Sequence, residues 1–154
     1  MAAVLPPRYK RPESVLVVIF TAKAEVLLLR RADHPEFWQS VTGSLEWSEE
    51  DRLATARREL QEETGIVASE GWRDWGLSHR YEIFPEWRHR YEPGTVHNTE
   101  HVFSLELRDR VAVSLHPAEH CDYEWLRWAP AVARVTSDSN RWALETLGRE
   151  RGFL

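Results

Sequence analysis

The run Arg58-Glu59-Leu60-Gln61-Glu62-Glu63-Thr64-Gly65-Ile66 constrains this chain more than any other stretch. Read as a helix, it places the carboxylates of Glu59, Glu62 and Glu63 at i, i+3 and i+4, on one face. Like charges at that spacing oppose helix formation by about 0.2–0.5 kcal/mol per pair. Arg58 is the only cation beside them, and Gly65 is the C-terminal stop. The acids therefore crowd the helix end where the backbone dipole is already negative. A helix that keeps three carboxylates there is best explained by a divalent cation held between them.

The surroundings set the fold. Ser48 reads as the N-cap, with Asp51 as the acidic partner of a capping box, so the helix is expected from about Glu49 to Glu63. Leu53, Ala56 and Leu60 form its apolar stripe, with the acidic arc turned away. Before it, an extended lead-in marked by Pro6 and Pro7 precedes Ser14–Phe20 and Val26–Leu29. These runs are short and almost wholly apolar, as strands covered on both faces are. Phe37–Thr42 is a shorter extended segment leading into Gly43. After the helix, Ile66-Val67 opens the next strand, and β-like segments lie near Trp75–Ile83, Arg88–Tyr91 and Glu100–Leu107. Tyr123–Leu126 is a further strand; Ala129–Arg134 and Asn140–Arg149 are helical. Strands on both sides of a central helix, with a closing helix, predict an α/β (α+β) sandwich.

Bulk properties exclude several classes. A chain of 154 residues without repeat or linker is expected to be one domain, residues 1–154. Its net charge of −5 argues against a nucleic-acid or membrane-surface partner. No apolar run approaches the roughly 20 residues of a membrane span. The N-terminus lacks the pattern of a signal peptide. The lone Cys121 excludes an intramolecular disulfide. A cytoplasmic location is expected, and the oligomeric state is left open.

The stretch Gly43–Ile66 resembles the Nudix box, Gly-x5-Glu-x7-Arg-Glu-U-x-Glu-Glu-x-Gly-U, with U aliphatic. Its second half matches at every fixed position: Arg58, Glu59, Leu60, Glu62, Glu63, Gly65 and Ile66. By average composition that half arises by chance at about one start position in ten million, which sets aside a merely solvated acidic face. The first half carries one extra residue, in the Leu45–Ser48 loop, leaving open whether Glu49 or Glu50 is the first glutamate. The resemblance implies a Nudix-type α/β/α sandwich and a Mg²⁺-dependent pyrophosphohydrolase, with Mn²⁺ able to substitute. Glu59 and Glu63 would be the primary metal ligands, Glu62 close behind, and Arg58 would orient a ligand carboxylate. Such a site neutralises a diphosphate and activates a water for in-line attack.

Segments outside the box are similar to one branch of that family, the bacterial dihydroneopterin triphosphate pyrophosphohydrolases. They include Tyr9-Lys10-Arg11-Pro12, Phe37–Ser44, Glu82-Ile83-Phe84, Arg88–Tyr91, Asn98-Thr99-Glu100, Glu119-His120 and Ser139-Asn140-Arg141. This resemblance implies cleavage of dihydroneopterin triphosphate to the monophosphate and pyrophosphate, in folate synthesis. It implies substrate contacts from Lys10, Arg31, Thr42, Tyr81, Glu82, Ile83, Phe84 and Ser137, and a further metal ligand at Glu119. Without it, Lys10 and Arg31 read as solvated charges, Glu119 as a loop acid, and Tyr81 and Phe84 as core. An aromatic residue stacking on a planar pterin fits the same segment. A pyrophosphohydrolase of (deoxy)nucleoside triphosphates is the nearest rival, and a non-catalytic Nudix-fold sensor a more distant one.

Two other patterns are dismissed. His97-Asn98-Thr99-Glu100-His101 matches a zinc-peptidase string that needs a helix. An alternating strand here sets the histidines about 13 Å apart. The short basic patch Arg88-His89-Arg90 lies in an acidic chain and does not make a nucleic-acid surface.

Overall fold

The computed structural model describes residues 9–153. The lead-in expected at Pro6 and Pro7 lies outside them. Seven strands form one mixed sheet: β1 (Glu13–Thr21), β2 (Glu25–Arg31), β3 (Trp38–Gln39), β4 (Val41–Ser44), β5 (Trp72–Glu82), β6 (His97–Leu107) and β7 (His120–Arg127). The order β3-β2-β1-β6-β5 has β4 added to β1 and β7 to β2. β1 runs parallel to β6 from Glu13↔Thr99 to Thr21↔Leu107. On its other edge β1 meets β4 along Ser14–Val17 and turns into β2 at Phe20↔Val26, both antiparallel.

Alternation along β1 explains why its sequence is apolar throughout. Leu16, Val18 and Phe20 face α2 (Trp128–Arg134) and α3 (Asp138–Arg151), packing with Ala131, Ala143, Leu144 and Leu147. Val15, Val17 and Ile19 face the other way, onto Ala56 and Leu60 of α1 (Arg52–Thr64). Each face of the sheet is thus covered by helix, the α/β/α sandwich expected from the sequence. Among the described residues, no helix is long and apolar enough to cross a membrane.

Three local expectations are corrected. The N-cap of α1 is Asp51, not Ser48: its carboxylate accepts from the amides of Leu53 and Ala54, and the helix begins at Arg52 rather than Glu49. Ser48 lies in a turn fixed from a distance, by Trp47 donating to the Tyr9 carbonyl and Arg11 to those of Glu46 and Glu49. Arg88–Tyr91 is not a strand: Pro85–Arg90 forms a 3-10 helix with proline in its first turn, where a missing N–H costs nothing. Ile66-Val67 does not open a strand either; Ile66 is buried against the α1 core, and β5 starts at Trp72. Gly65 does end α1, in the left-handed conformation at φ 75°, its N–H on the Gln61 carbonyl. The strand β6 contains both His97 and His101, so the peptidase string is not helical.

Candidate active site

The box folds around Arg58. Its guanidinium donates to Glu49 at 2.7 and 3.2 Å, to Glu59 at 3.0 Å, to Glu62 at 3.1 and 3.2 Å, and to the Ser44 carbonyl at 3.2 Å. One cation thereby ties the loop, the end of β4 and the acidic end of α1 into a fixed frame. The late start of α1 leaves Glu49 in the loop, free to make this bond, so Glu49 stands in the place of the first glutamate of the box. Glu49 and Arg58 strengthen each other: the arginine holds the carboxyl below its usual range, and the carboxylate holds the guanidinium above its own.

The acids of α1 do not share one environment. Glu62 points outward, its side chain 52% exposed, and stays with Arg58. Glu59 and Glu63 line a cleft of about 810 Å³, and Glu63 is only 3% exposed. Burial, followed by repulsion from Glu59 and Glu119, holds Glu63 well above the usual carboxylate range. Burial likewise pushes Glu59 up to about 7, against the pull of Arg58. Glu119 reaches the same point from the turn before β7, and ligand atoms of Glu63, Glu119 and His120 all lie within 4.8 Å of one another. Glu63 Oε2 and His120 Nδ1 are buried without a hydrogen-bond partner among the described residues. Burial, then the charge of Arg31, lowers His120 to about 4, so its imidazole is neutral and carries a lone pair. Uncompensated carboxylate oxygens, one orphaned, beside a neutral imidazole fit a hard divalent cation.

Cations gather beside the acids, Arg31 being the register partner of His120. Lys10, Arg31 and Arg90 all line the cleft. The Lys10 ammonium sits 5.8 Å above the Tyr91 ring, and its backbone N–H bonds the Arg90 carbonyl. The Lys10 side chain is exposed to the open cleft. Desolvation by the surrounding residues, then the charges of Arg90 and Arg31, lowers its pKa from 10.5, against the pull of Glu59 and Glu119. Arg31 is held by Asp33 through two bonds of 2.9 Å and lies 4.5 Å from the Trp87 ring. Trp87, Phe37 and Phe84 meet edge to face, with centroids 5.3–6.1 Å apart, and Phe84 remains 40% exposed.

Of the other residues singled out from the sequence, Thr42, Tyr81, Glu82, Ile83, Phe84 and Ser137 also line the cleft. Ser137 is in addition the N-cap of α3, accepting from the Asn140 amide at 3.2 Å. Glu62 alone among the candidates stays outside. The cleft also holds Gln39, His120, Asn98 and Glu100, which were not among them.

A NUDIX domain is recognised over residues 10–144. The chain belongs to the NUDIX family. Within that family it is 40% identical to the dihydroneopterin triphosphate diphosphatase of Haemophilus influenzae over 149 residues, 94% of this chain and 92% of that protein. The Escherichia coli dihydroneopterin triphosphate diphosphatase is 46% identical over 142 residues, covering 89% and 92%. A solved structure of the E. coli dihydroneopterin triphosphate pyrophosphohydrolase superposes with a TM-score of 0.84 at 42% identity, over 91% of this chain and 97% of that one. A putative NUDIX hydrolase from Listeria monocytogenes superposes with a TM-score of 0.71 at 28% identity, over 90% and 93%.

Proposed function

We propose that this chain is a single-domain Mg²⁺-dependent pyrophosphohydrolase that cleaves dihydroneopterin triphosphate to dihydroneopterin monophosphate and pyrophosphate. The observation that carries the reading is one cleft that brings the carboxylates of Glu59, Glu63 and Glu119 together with the cations of Lys10, Arg31 and Arg90. Only a metal-bound polyphosphate satisfies both at once. The relatives of 40% and 46% identity named for this reaction support the pterin as its organic part.

In this reading Glu59, Glu63 and Glu119 hold the metal, His120 sits at its margin, and Glu62 acts from outside through Arg58. Mg²⁺, or Mn²⁺ in its place, supplies charge neutralisation of the phosphates and lowers the pKa of water. Lys10, Arg31 and Arg90 bind phosphate oxygens and orient the chain for in-line attack. The Tyr81–Phe84 segment, Thr42 and Ser137 line the path of the substrate. A cytoplasmic location belongs to the same reading.

The test is incubation with Mg²⁺ and a panel of pterin and nucleoside triphosphates, with products identified by mass. Monophosphate and pyrophosphate from the pterin are expected. Orthophosphate with a diphosphate would contradict the cut, and better turnover of an ordinary nucleotide would displace the pterin. Glu63→Gln should lose about 10²- to 10⁴-fold in kcat with its thermal midpoint kept, since it removes a buried charge. Ligand binding with an unchanged rate in that variant would refute catalysis through this group.

A further inference from the structure

The cleft continues beyond the acid cluster to the N-terminal end of α3, and it ends there on groups that phosphate chemistry does not use. Glu100 lies on β6 with its side chain on the inward face shared by Asn98 and Val102, and is 4% exposed. Its Oε1 accepts the Ser139 hydroxyl at 2.9 Å. Among the described residues this is the only hydrogen bond to the carboxylate, and no cation lies within ion-pair distance. Asn98 is 1% exposed, and its amide nitrogen donates to Ser14 Oγ at 2.8 Å and to Tyr81 Oη at 3.0 Å. Both amide hydrogens are thereby used, and Asn98 Oδ1 is left buried without a partner. Two open acceptors thus lie two residues apart on one face of β6, both lining the cleft.

Stability gives no reason for this arrangement. A buried carboxylate held by one neutral donor is costly, and apolar residues of similar size would hold the fold better. A ligand that answers these acceptors brings donors, two of them adjacent, and is flat enough to lie in the recess lined by Leu16 and Tyr81.

We propose that Glu100 and Asn98 form the ring-recognition subsite, which takes a bicyclic heteroaromatic ring by an edge carrying a ring N–H beside an exocyclic NH₂. The 2-amino-4-oxopyrimidine edge common to pterin and guanine has that pattern. An ionised carboxylate accepts its two parallel N–H groups as it accepts the fork of an arginine. Adenine presents a ring acceptor at that place, and uracil flanks its N–H with two carbonyls, so both leave Glu100 unpaired. A site built to hydrogen-bond a group discriminates strongly against a ligand lacking it, because its own buried atoms are then orphaned. Burial pushes the Glu100 carboxyl up to about 7, and a donor edge beside it favours the ionised form. The inference rests on the pyrophosphohydrolase reading of the same cleft and goes further, naming the edge by which the ring is selected.

The test compares dihydroneopterin triphosphate, dGTP, dITP and dATP on the wild type and on Glu100→Gln, with Mg²⁺ present. Because dITP differs from dGTP only in lacking the exocyclic amine, wild-type kcat/KM should fall at least tenfold from dGTP to dITP. In Glu100→Gln, kcat/KM for the pterin and for dGTP should fall about 10- to 100-fold relative to dATP, mainly through KM. Equal use of dGTP and dITP, or an equal loss on all four compounds, overturns the proposal. The wild-type comparison decides the matter even if the variant does not fold. A wild type that hydrolyses dGTP with this selectivity but leaves dihydroneopterin triphosphate intact refutes the substrate assignment and supports the subsite.

Discussion

Gly43 faces Glu59 with no room for a side chain: a Cβ at that position would lie 2.0 Å from the Glu59 carboxyl carbon. The close approach of β4 to α1 is what lets Glu59 lean across the strand into the cleft. The clash is with the mobile end of a side chain, so Gly43→Ala should fold, losing less than about 1 kcal/mol, while the displaced carboxylate lowers kcat at saturating Mg²⁺ about 100-fold. Wild-type kcat in that variant would show that the position of Glu59 does not matter. Glu100 makes a prediction of the opposite kind, read in stability rather than rate. Its folded-state pKa of about 7 lies above the ordinary 4.5, so between those values the native state binds more protons than the unfolded one. Its contribution is therefore intact below pH 4.5 and is lost as pH rises through 7. The shift corresponds to about 3 kcal/mol. Denaturant unfolding of Glu100→Gln and wild type at pH 4.5 and pH 8 should show the variant gaining about that much on the wild type across the interval. A difference independent of pH would mean that Glu100 is not buried as a carboxylate.

Among the elements, α2 and α3 meet at a second glycine with a different consequence. A Cβ on Gly148 would lie 2.2 Å from the Trp128 ring, which is anchored by its Nε1 donating to the Leu144 carbonyl at 2.6 Å. Helix propensity alone favours Gly148→Ala by about 1 kcal/mol, whereas forcing apart a packed indole costs about 1–3 kcal/mol or more. The ring cannot swing away as a carboxylate can, so the substitution should lower the unfolding free energy by about 2 kcal/mol in urea; a stabilised variant would show that the contact yields easily. Elements of this kind were legible where one physical cue decides them. The apolar runs of β1 and β2 announced a sheet covered on both faces, and Gly65 announced the end of α1. The 3-10 helix at Pro85–Arg90 was missed because six residues carry no period. The start of α1 was placed early because Ser48 and Asp51 both satisfy a capping pattern, and the bonds that choose between them come from Tyr9 and Arg11, some 40 residues away. The acids of α1 were visible as a cluster, but not that Glu62 turns outward while Glu63 turns in. Glu100 had a signal that went unused: it is an acid on the buried phase of an alternating strand, in step with Asn98, Val102 and Ser104.

Across the whole molecule, the acids and the cations of the cleft come from segments far apart in the chain. The acids belong to α1 and to the turn before β7; the cations stand before β1, at the end of β2 and at the end of the 3-10 helix. Repulsion within each group works against closing the structure around it, and a ligand that answers both groups links all of these segments. Such a ligand stabilises the native state by an amount set only by its concentration over its Kd, about 2.7 kcal/mol at a hundredfold excess. For a chain of 154 residues this amounts to about 5–10 °C in the thermal midpoint. Mg²⁺ with pyrophosphate should therefore raise the midpoint by that much and by more than the sum of the two added singly, because each offsets the like-charge repulsion that the other meets in the cleft. Glu63→Gln should abolish the joint increment. Glu100→Gln should keep it, because pyrophosphate has no ring to reach the far subsite. Scanning fluorimetry of the three proteins with each ligand alone and together decides the point. An undiminished joint increment in Glu63→Gln would place the metal elsewhere, and its loss in Glu100→Gln would show that the two ends of the cleft are not separate subsites.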